Sequence, residues 1–231
     1  MPGDLVDVLS VVGIVPVISL ARAEDAVAVA RALLDGGLRC IEITFRTAAA
    51  AEALRRVRGE VPEMTLLAGT VLSLEQVAAA VAAGADGIVT PGFNIPVVER
   101  SRELGIAIVP GIATPTELEL ALRHDLGLVK LFPAEPIGGV PYLKALAGPY
   151  PDVRFVPTGG IGPRDLASYL ALPNVAAVGG SWLAPRDAVA SGDYERIRAL
   201  ASEAAAIVRD VRGVSAASPE PPGRATSAKP E

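Results

Sequence analysis

The chain has 231 residues, which suits one large domain or two small ones, and 51% of them are hydrophobic, enough for a sizeable core. A net charge of -5 with no basic tract excludes a general nucleic-acid binder. The lone cysteine, Cys40, excludes an intrachain disulfide; Met1–Asp4 lacks the basic start of a signal peptide, and the apolar run Val11–Leu20 is too short to span a bilayer, so the protein is expected to be cytoplasmic with no membrane partner.

In chain order, a short helix over Asp4–Leu9 precedes a strand at Ile14–Ile18. Helix Glu24–Leu34 leads to strand Arg39–Ile43, and helix Ala48–Val57 to strand Thr65–Leu67. Helix Leu74–Ala83 is followed by strand Gly87–Val89, and helix Ile95–Leu104 by strand Ile106–Val109. Helix Pro115–Leu122 then gives strand Leu126–Leu131, helix Val140–Ala147 gives strand Val153–Val156, and helix Pro163–Leu170 gives strand Val175–Val178. A last helix covers roughly Asp193–Val211. Thr47, Ser73, Asn94 and Thr114 read as N-caps, Pro115 and Pro163 as first helical residues, and Gly36, Gly84 and Gly105 as left-handed helix ends.

Eight strands alternating with helices imply parallel pairing, since parallel strands need crossover connections. The expected fold is a (β/α)8 TIM barrel with a short N-terminal helix, one domain over 1–212, followed by a disordered tail over 213–231 that is too poor in bulky residues to order itself. A doubly wound open sheet is the alternative. The absence of a Gly-x-Gly-x-x-Gly after the first strand weakens a dinucleotide site.

In such a barrel, chemistry gathers at the C-terminal ends of the strands. The second strand carries Glu42 among β-branched residues, with Arg46 close behind. Glu42 is either a proton-transfer group or one half of a structural Glu42–Arg46 ion pair. The third strand ends in Ala68-Gly69-Thr70; the fourth runs into Thr90-Pro91-Gly92 and the fifth into Pro110-Gly111-Ile112. The sixth holds Lys130 between Val129 and Leu131-Phe132. The chain has only three lysines against eighteen arginines, so a lysine in an apolar strand calls for a reason. An ammonium there is costly unless it is paired or sheds its proton, and the free amine is the form that attacks a carbonyl. The bland alternative is a buried Lys130–Glu42 bridge without chemistry. Gly159-Gly160 after the seventh strand and Gly180-Ser181 after the eighth fall where barrels commonly bind phosphate. One histidine, His124, and one cysteine do not make a zinc centre unless carboxylates take over, and no Gly-x-Ser-x-Gly elbow is present. Neither a metal nor a cofactor is expected.

Six motifs in order then carry a resemblance: Glu42-Ile43-Thr44-Phe45-Arg46-Thr47, Gly69-Thr70-Val71-Leu72, Pro110-Gly111-Ile112, Lys130-Leu131-Phe132-Pro133-Ala134-Glu135, Pro157-Thr158-Gly159-Gly160-Ile161 and Gly179-Gly180-Ser181-Trp182. From about residue 4 to residue 210 the chain resembles the 2-keto-3-deoxy-6-phosphogluconate (KDPG) / 4-hydroxy-2-oxoglutarate (KHG) aldolase family. The resemblance implies a class I aldolase, commonly a homotrimer, that cleaves KDPG to pyruvate and glyceraldehyde 3-phosphate. It implies Lys130 as the Schiff-base lysine and Glu42 as general acid/base. It puts Arg46 and Thr70 on the substrate carboxylate, Pro91 and Phe132 along the pocket, and Thr158 near the substrate hydroxyls. Gly159, Gly160, Gly180 and Ser181 would hold the phosphate. Leu67 stands where related sequences often carry glycine, and Thr90 where serine is common. A sister aldolase acting on 2-keto-3-deoxy-6-phosphogalactonate or on an unphosphorylated substrate, a phosphate-binding barrel isomerase and a non-catalytic sugar-phosphate binding protein are the rival readings.

Overall fold

The structure, a computed structural model, describes residues 5–213. The expected disordered tail lies outside the described residues, apart from Gly213, which closes the last helix in a left-handed conformation. In order, the elements are α1 (Leu5–Val12), β1 (Ile14–Ile18), α2 (Asp25–Asp35), β2 (Cys40–Thr44), α3 (Ala50–Glu60), β3 (Thr65–Gly69), α4 (Leu74–Ala82), β4 (Gly87–Val89), α5 (Ile95–Glu103) and β5 (Ala107–Val109). There follow β6 (Gly111–Ile112), α6 (Pro115–Arg123), β7 (Leu128–Leu131), a 3-10 turn (Glu135–Ile137), α7 (Gly139–Ala147), β8 (Arg154–Pro157), α8 (Leu166–Leu170), β9 (Val178–Gly180), α9 (Arg186–Ser191) and α10 (Tyr194–Arg212).

The strands are parallel and the sheet is curled. One six-stranded sheet runs β5-β4-β3-β2-β1-β9 and a three-stranded sheet runs β6-β7-β8. Within each sheet the strands follow one another in sequence, except that the last, β9, lies beside the first. Pro110 separates β5 from β6 because it has no N–H to give the ladder, yet its carbonyl still accepts from Lys130 N at 2.8 Å. Single bridges, Phe155 to Val175 and Thr158 to Gly179, link β8 to the segment that leads into β9.

Two apolar clusters hold the fold. The larger fills the space between sheet and helices. The smaller lies on the concave face and takes side chains in turn from the strands: Val15, Cys40, Leu67, Val89, Val109, Leu128 and Val156. Leu9 of α1 joins it, so the N-terminal helix plugs the lower end of that face. Leu67, buried there, supplies apolar bulk to this layer.

Several local expectations are corrected. The sixth strand starts at Leu128 rather than Leu126, because the Leu126 N–H is engaged by Ala121 O at the end of α6. The final strand begins at Val178 rather than Val175. The carbonyls of Val175 and Ala176 are occupied by the Arg212 guanidinium, at 3.2 and 2.6 Å. Ser73, Asn94 and Thr114 cap their helices, Thr114 with Glu117 in a reciprocal capping box. Thr47 does not; its hydroxyl donates to Leu20 O at 2.6 Å, and α3 starts at Ala50. Pro163 lies ahead of α8, which starts at Leu166. Gly36 is right-handed, and Gly37 takes the left-handed position with φ 92°. The 3-10 turn and α9 are additional to the expected elements.

Candidate active site

Side chains two residues apart on a strand share a face. One step beyond the concave apolar layer the strands therefore present a second layer: Glu42 above Cys40, Gly69 above Leu67, Pro91 above Val89, Gly111 above Val109, Lys130 above Leu128 and Thr158 above Val156. Large and absent side chains alternate in this layer. A methyl on Gly69 would lie 2.6 Å from Glu42 Cγ, and nearer still to its Oε1. A methyl on Gly111 would strike the Pro91 backbone, and one on Gly179 would lie 2.9 Å from Thr158 Cγ2. The glycines thus make room for the functional groups beside them.

Lys130 and Glu42 meet in that layer. Lys130 Nζ donates to Glu42 Oε1 at 3.2 Å and Oε2 at 3.5 Å, across 88 residues of sequence. The two residues are 5% and 2% exposed, so the charges face one another with little water between. Glu42 pairs with Lys130 and makes no ion pair with Arg46, so the Glu42–Arg46 alternative fails. The ring of Phe132 lies 5.6 Å from the ammonium, and its π face gives the cation a second favourable neighbour. Below Glu42, burial first and then the Glu42 charge push the Cys40 thiol far above its ordinary value, so it stays protonated and apolar.

Thr70, just past β3, has φ 56°. A β-branched residue rarely adopts this conformation, and such outliers cluster at functional sites. Thr90 donates to Gly92 O at 2.7 Å and accepts from Gly111 N, a turn-forming role its hydroxyl shares with serine. Phe132-Pro133 is a cis peptide. The loop carrying Gly159 and Gly160 has both residues at positive φ, 102° and 83°. It is braced from below: Glu135 N donates to Gly159 O at 3.0 Å, and the buried Tyr169 hydroxyl donates to the Glu135 carboxylate. Burial, then Glu135, hold the Tyr169 phenol well above its usual range.

Above this layer opens a cavity of about 260 Å³, lined by Ser19, Thr44, Arg46, Ser181 and Arg186 among others. It brings Arg46 and Ser181 together. Thr70, Pro91, Phe132, Thr158, Gly180 and the Gly159-Gly160 loop are not among its lining residues, and neither are the buried Lys130 and Glu42; Thr44, two residues past Glu42 on the same strand, is the link between the pair and the cavity. Ser19 and Arg186 were not anticipated. A surface arginine in an arginine-rich chain carries no local signal, although its place five residues after Ser181 in a strand-end loop was a pointer.

Among the described residues no group of three or more His, Cys, Asp or Glu is placed to hold a metal, and no helix is long and apolar enough to cross a membrane.

Comparison with known proteins agrees with the geometry. The KDPG and KHG aldolase family profile matches residues 5–200. The chain is 50% identical to the 2-dehydro-3-deoxy-phosphogluconate aldolase of Treponema pallidum over 202 residues, which is 87% of this chain and 96% of that protein. It is 48% identical to the KHG/KDPG aldolase of Escherichia coli K12, covering 83% of this chain and 90% of that one. Among solved structures, the KDPG aldolase of Legionella pneumophila, with pyruvate captured at low pH as a covalent carbinolamine intermediate, superposes with TM-score 0.83 at 37% identity. That match covers 86% of this chain and 97% of the other. The chain therefore belongs to the KDPG and KHG aldolase family.

Proposed function

We propose that the protein is a class I, metal-independent aldolase that cleaves KDPG to pyruvate and glyceraldehyde 3-phosphate, and by the same steps 4-hydroxy-2-oxoglutarate to pyruvate and glyoxylate. The observation that carries this reading is the buried Lys130–Glu42 pair at 3.2 Å, on the strand whose Thr44 lines the cavity that also holds Arg46 and Ser181. The carbinolamine trapped in the Legionella relative supports it.

The pair supplies a closed proton cycle. Lys130 passes its proton to Glu42, and the free amine attacks the C2 carbonyl of the substrate to form a carbinolamine. Glu42 returns that proton to the departing hydroxyl, so water leaves and an iminium forms. The iminium draws electrons as the C3–C4 bond breaks, while Glu42 takes the C4 hydroxyl proton and the aldehyde departs. Glu42 then protonates C3 of the enamine, and hydrolysis frees pyruvate and Lys130. Arg46 and Thr70 hold the substrate carboxylate, Pro91 and Phe132 border the ketone, and Thr158 meets the hydroxyls. Gly159, Gly160, Gly180 and Ser181 bind the phosphate, whose remote binding energy aligns the chain.

On this reading the two sheets are one closed (β/α)8 barrel in a single domain over 1–212. The strand that continues through Pro110 and the bridges from β8 towards β9 support closure. The assembly is a homotrimer in the cytoplasm. Leu72, Leu74 and Ile95 support an interface: they are exposed apolar side chains on neighbouring segments, linked by Asn94 donating to Leu72 O at 3.2 Å.

The test is borohydride reduction in the presence of pyruvate, followed by peptide mass mapping. The expected result is one pyruvyl adduct, on Lys130. A folded protein that gives no adduct would reduce Lys130 to a buried ion-pair partner and overturn the assignment.

A further inference from the structure

Two arginines at the rim are not absorbed by charge pairing. Arg46, two residues past β2, and Arg186, the first residue of α9, line the same cavity of about 260 Å³. Neither side chain makes a hydrogen bond or ion pair with a described residue; Arg39, Arg123, Arg164 and Arg209 are also unpaired among the described residues, but only Arg46 and Arg186 line this cavity. No acidic residue lines the cavity. In a chain of net charge -5, a two-cation cavity without a carboxylate is built to receive an anion. The Thr44 hydroxyl is already committed to Ile18 O at 3.0 Å. The donors left for a ligand are two guanidiniums and the hydroxyls of Ser19 and Ser181.

Arg186 stands on an anchored support. Leu183 and Ala184, just before it, are buried, and the Trp182 ring packs where a side chain on Gly180 would sit, 2.5 Å from the ideal Cβ position. The neighbouring carboxylate, Asp187, is held by Arg196 at 2.6 Å, which leaves Arg186 free of it.

We propose that Arg186 is the specificity-determining residue for the end of the substrate remote from the ketone, selecting a phosphate ester there together with Ser181. The inference rests on the aldolase reading, in which Arg46 takes the carboxylate at the other end. A guanidinium presents paired donors that match phosphate oxygens, and a phosphate monoester carries about -1.5 to -2 charges against -1 for a carboxylate. An uncharged hydroxymethyl group in the same place gains little from the cation.

The experiment compares KDPG with its unphosphorylated counterpart, 2-keto-3-deoxygluconate, in wild type, Arg186→Met and Arg186→Lys. Arg186→Met should raise KM for KDPG roughly 10- to 100-fold, the scale of a lost hydrogen bond to a charged group, with kcat little changed. KM for the unphosphorylated acid should stay the same. Arg186→Lys should recover part of the loss, and inorganic phosphate should inhibit wild type competitively and Arg186→Met more weakly by a similar factor. An unchanged KM for KDPG, or an equal rise for both substrates, would overturn the inference and leave the aldolase reading intact. A wild type that neither traps pyruvate nor cleaves either acid would instead remove the aldolase reading, and the inference with it.

Discussion

Gly69→Ala is the perturbation that most directly separates positioning from packing. Gly69 ends β3 and pairs with Thr44 in a ladder of five residues, so the backbone has little freedom to retreat. The added methyl would sit 2.6 Å from Glu42 Cγ and 2.7 Å from its Cδ. Carbon atoms rest about 3.5–4.0 Å apart, so the carboxylate must move by about 1 Å. That movement opens the 3.2 Å contact to Lys130 while leaving both groups in the protein. A misplacement of about 1 Å costs on the order of 100-fold in rate, whereas overpacking costs about 1–3 kcal/mol. At this chain length that stability loss lowers Tm by about 2–12 °C. The assay is kcat for KDPG cleavage beside a thermal melt and pyruvate trapping. The expected result is a folded protein, still trapped on Lys130, with turnover down by about two decades. Near-wild-type turnover with Tm lowered as calculated would refute the idea that the Glu42 position limits the chemistry.

Glu42→Gln should still give the pyruvyl adduct, but turnover should fall by roughly two to four decades; normal turnover would leave Glu42 a packing partner only. Lys130→Met should abolish both trapping and cleavage. It should also destabilise the fold by roughly 3–5 kcal/mol, because Glu42 is left buried without its cation. Adding Glu42→Gln to it should restore part of that stability in urea melts, and a double variant no more stable than the single would show that the lost pairing is not the cause. For Cys40 the folded-state value lies above the ordinary 9.0, so its contribution to stability is present below pH 9 and is lost as pH rises towards the folded value. Cys40→Ala should therefore flatten the alkaline fall in the urea midpoint between about pH 9 and 10; an unchanged slope would assign that fall to other groups.

The strand and helix alternation was legible because each strand is an apolar run bounded by glycine, proline or a capping residue. Lys130 and Glu42 stood out for a related reason: charged side chains in β-branched runs conflict with local pattern, and such conflicts gather at functional sites. Their pairing is one possibility in the sequence, but only the curl of the sheet, which brings β2 and β7 face to face, decides it against Arg46. The misplaced boundaries have longer-range causes. Arg212 reaches back 36 residues to the Ala176 carbonyl and shortens the last strand. With adjacent glycines at 36 and 37, packing chooses between them. A methyl on Gly36 would meet Arg198 O of α10 at 2.7 Å, so that residue is fixed by contact and Gly37 takes the turn. For Arg186 the sequence offers only its nearness to Ser181, because its meaning depends on which cavity it lines and on the lack of a partner, neither of which is a local property.

The ion pair also bears on how the molecule comes apart. β2 belongs to the six-stranded sheet and β7 to the three-stranded one, so each sheet brings one of the two opposite charges. Separating the halves would break that contact and also expose the apolar layer they share, Cys40 and Leu67 from one and Leu128 and Val156 from the other. Neither half is then a stable resting point on the way to the unfolded chain. The buried pair and the apolar layer around it thereby couple the two halves into one cooperative unit, and unfolding should proceed in a single transition, with loss of activity and loss of secondary structure coinciding.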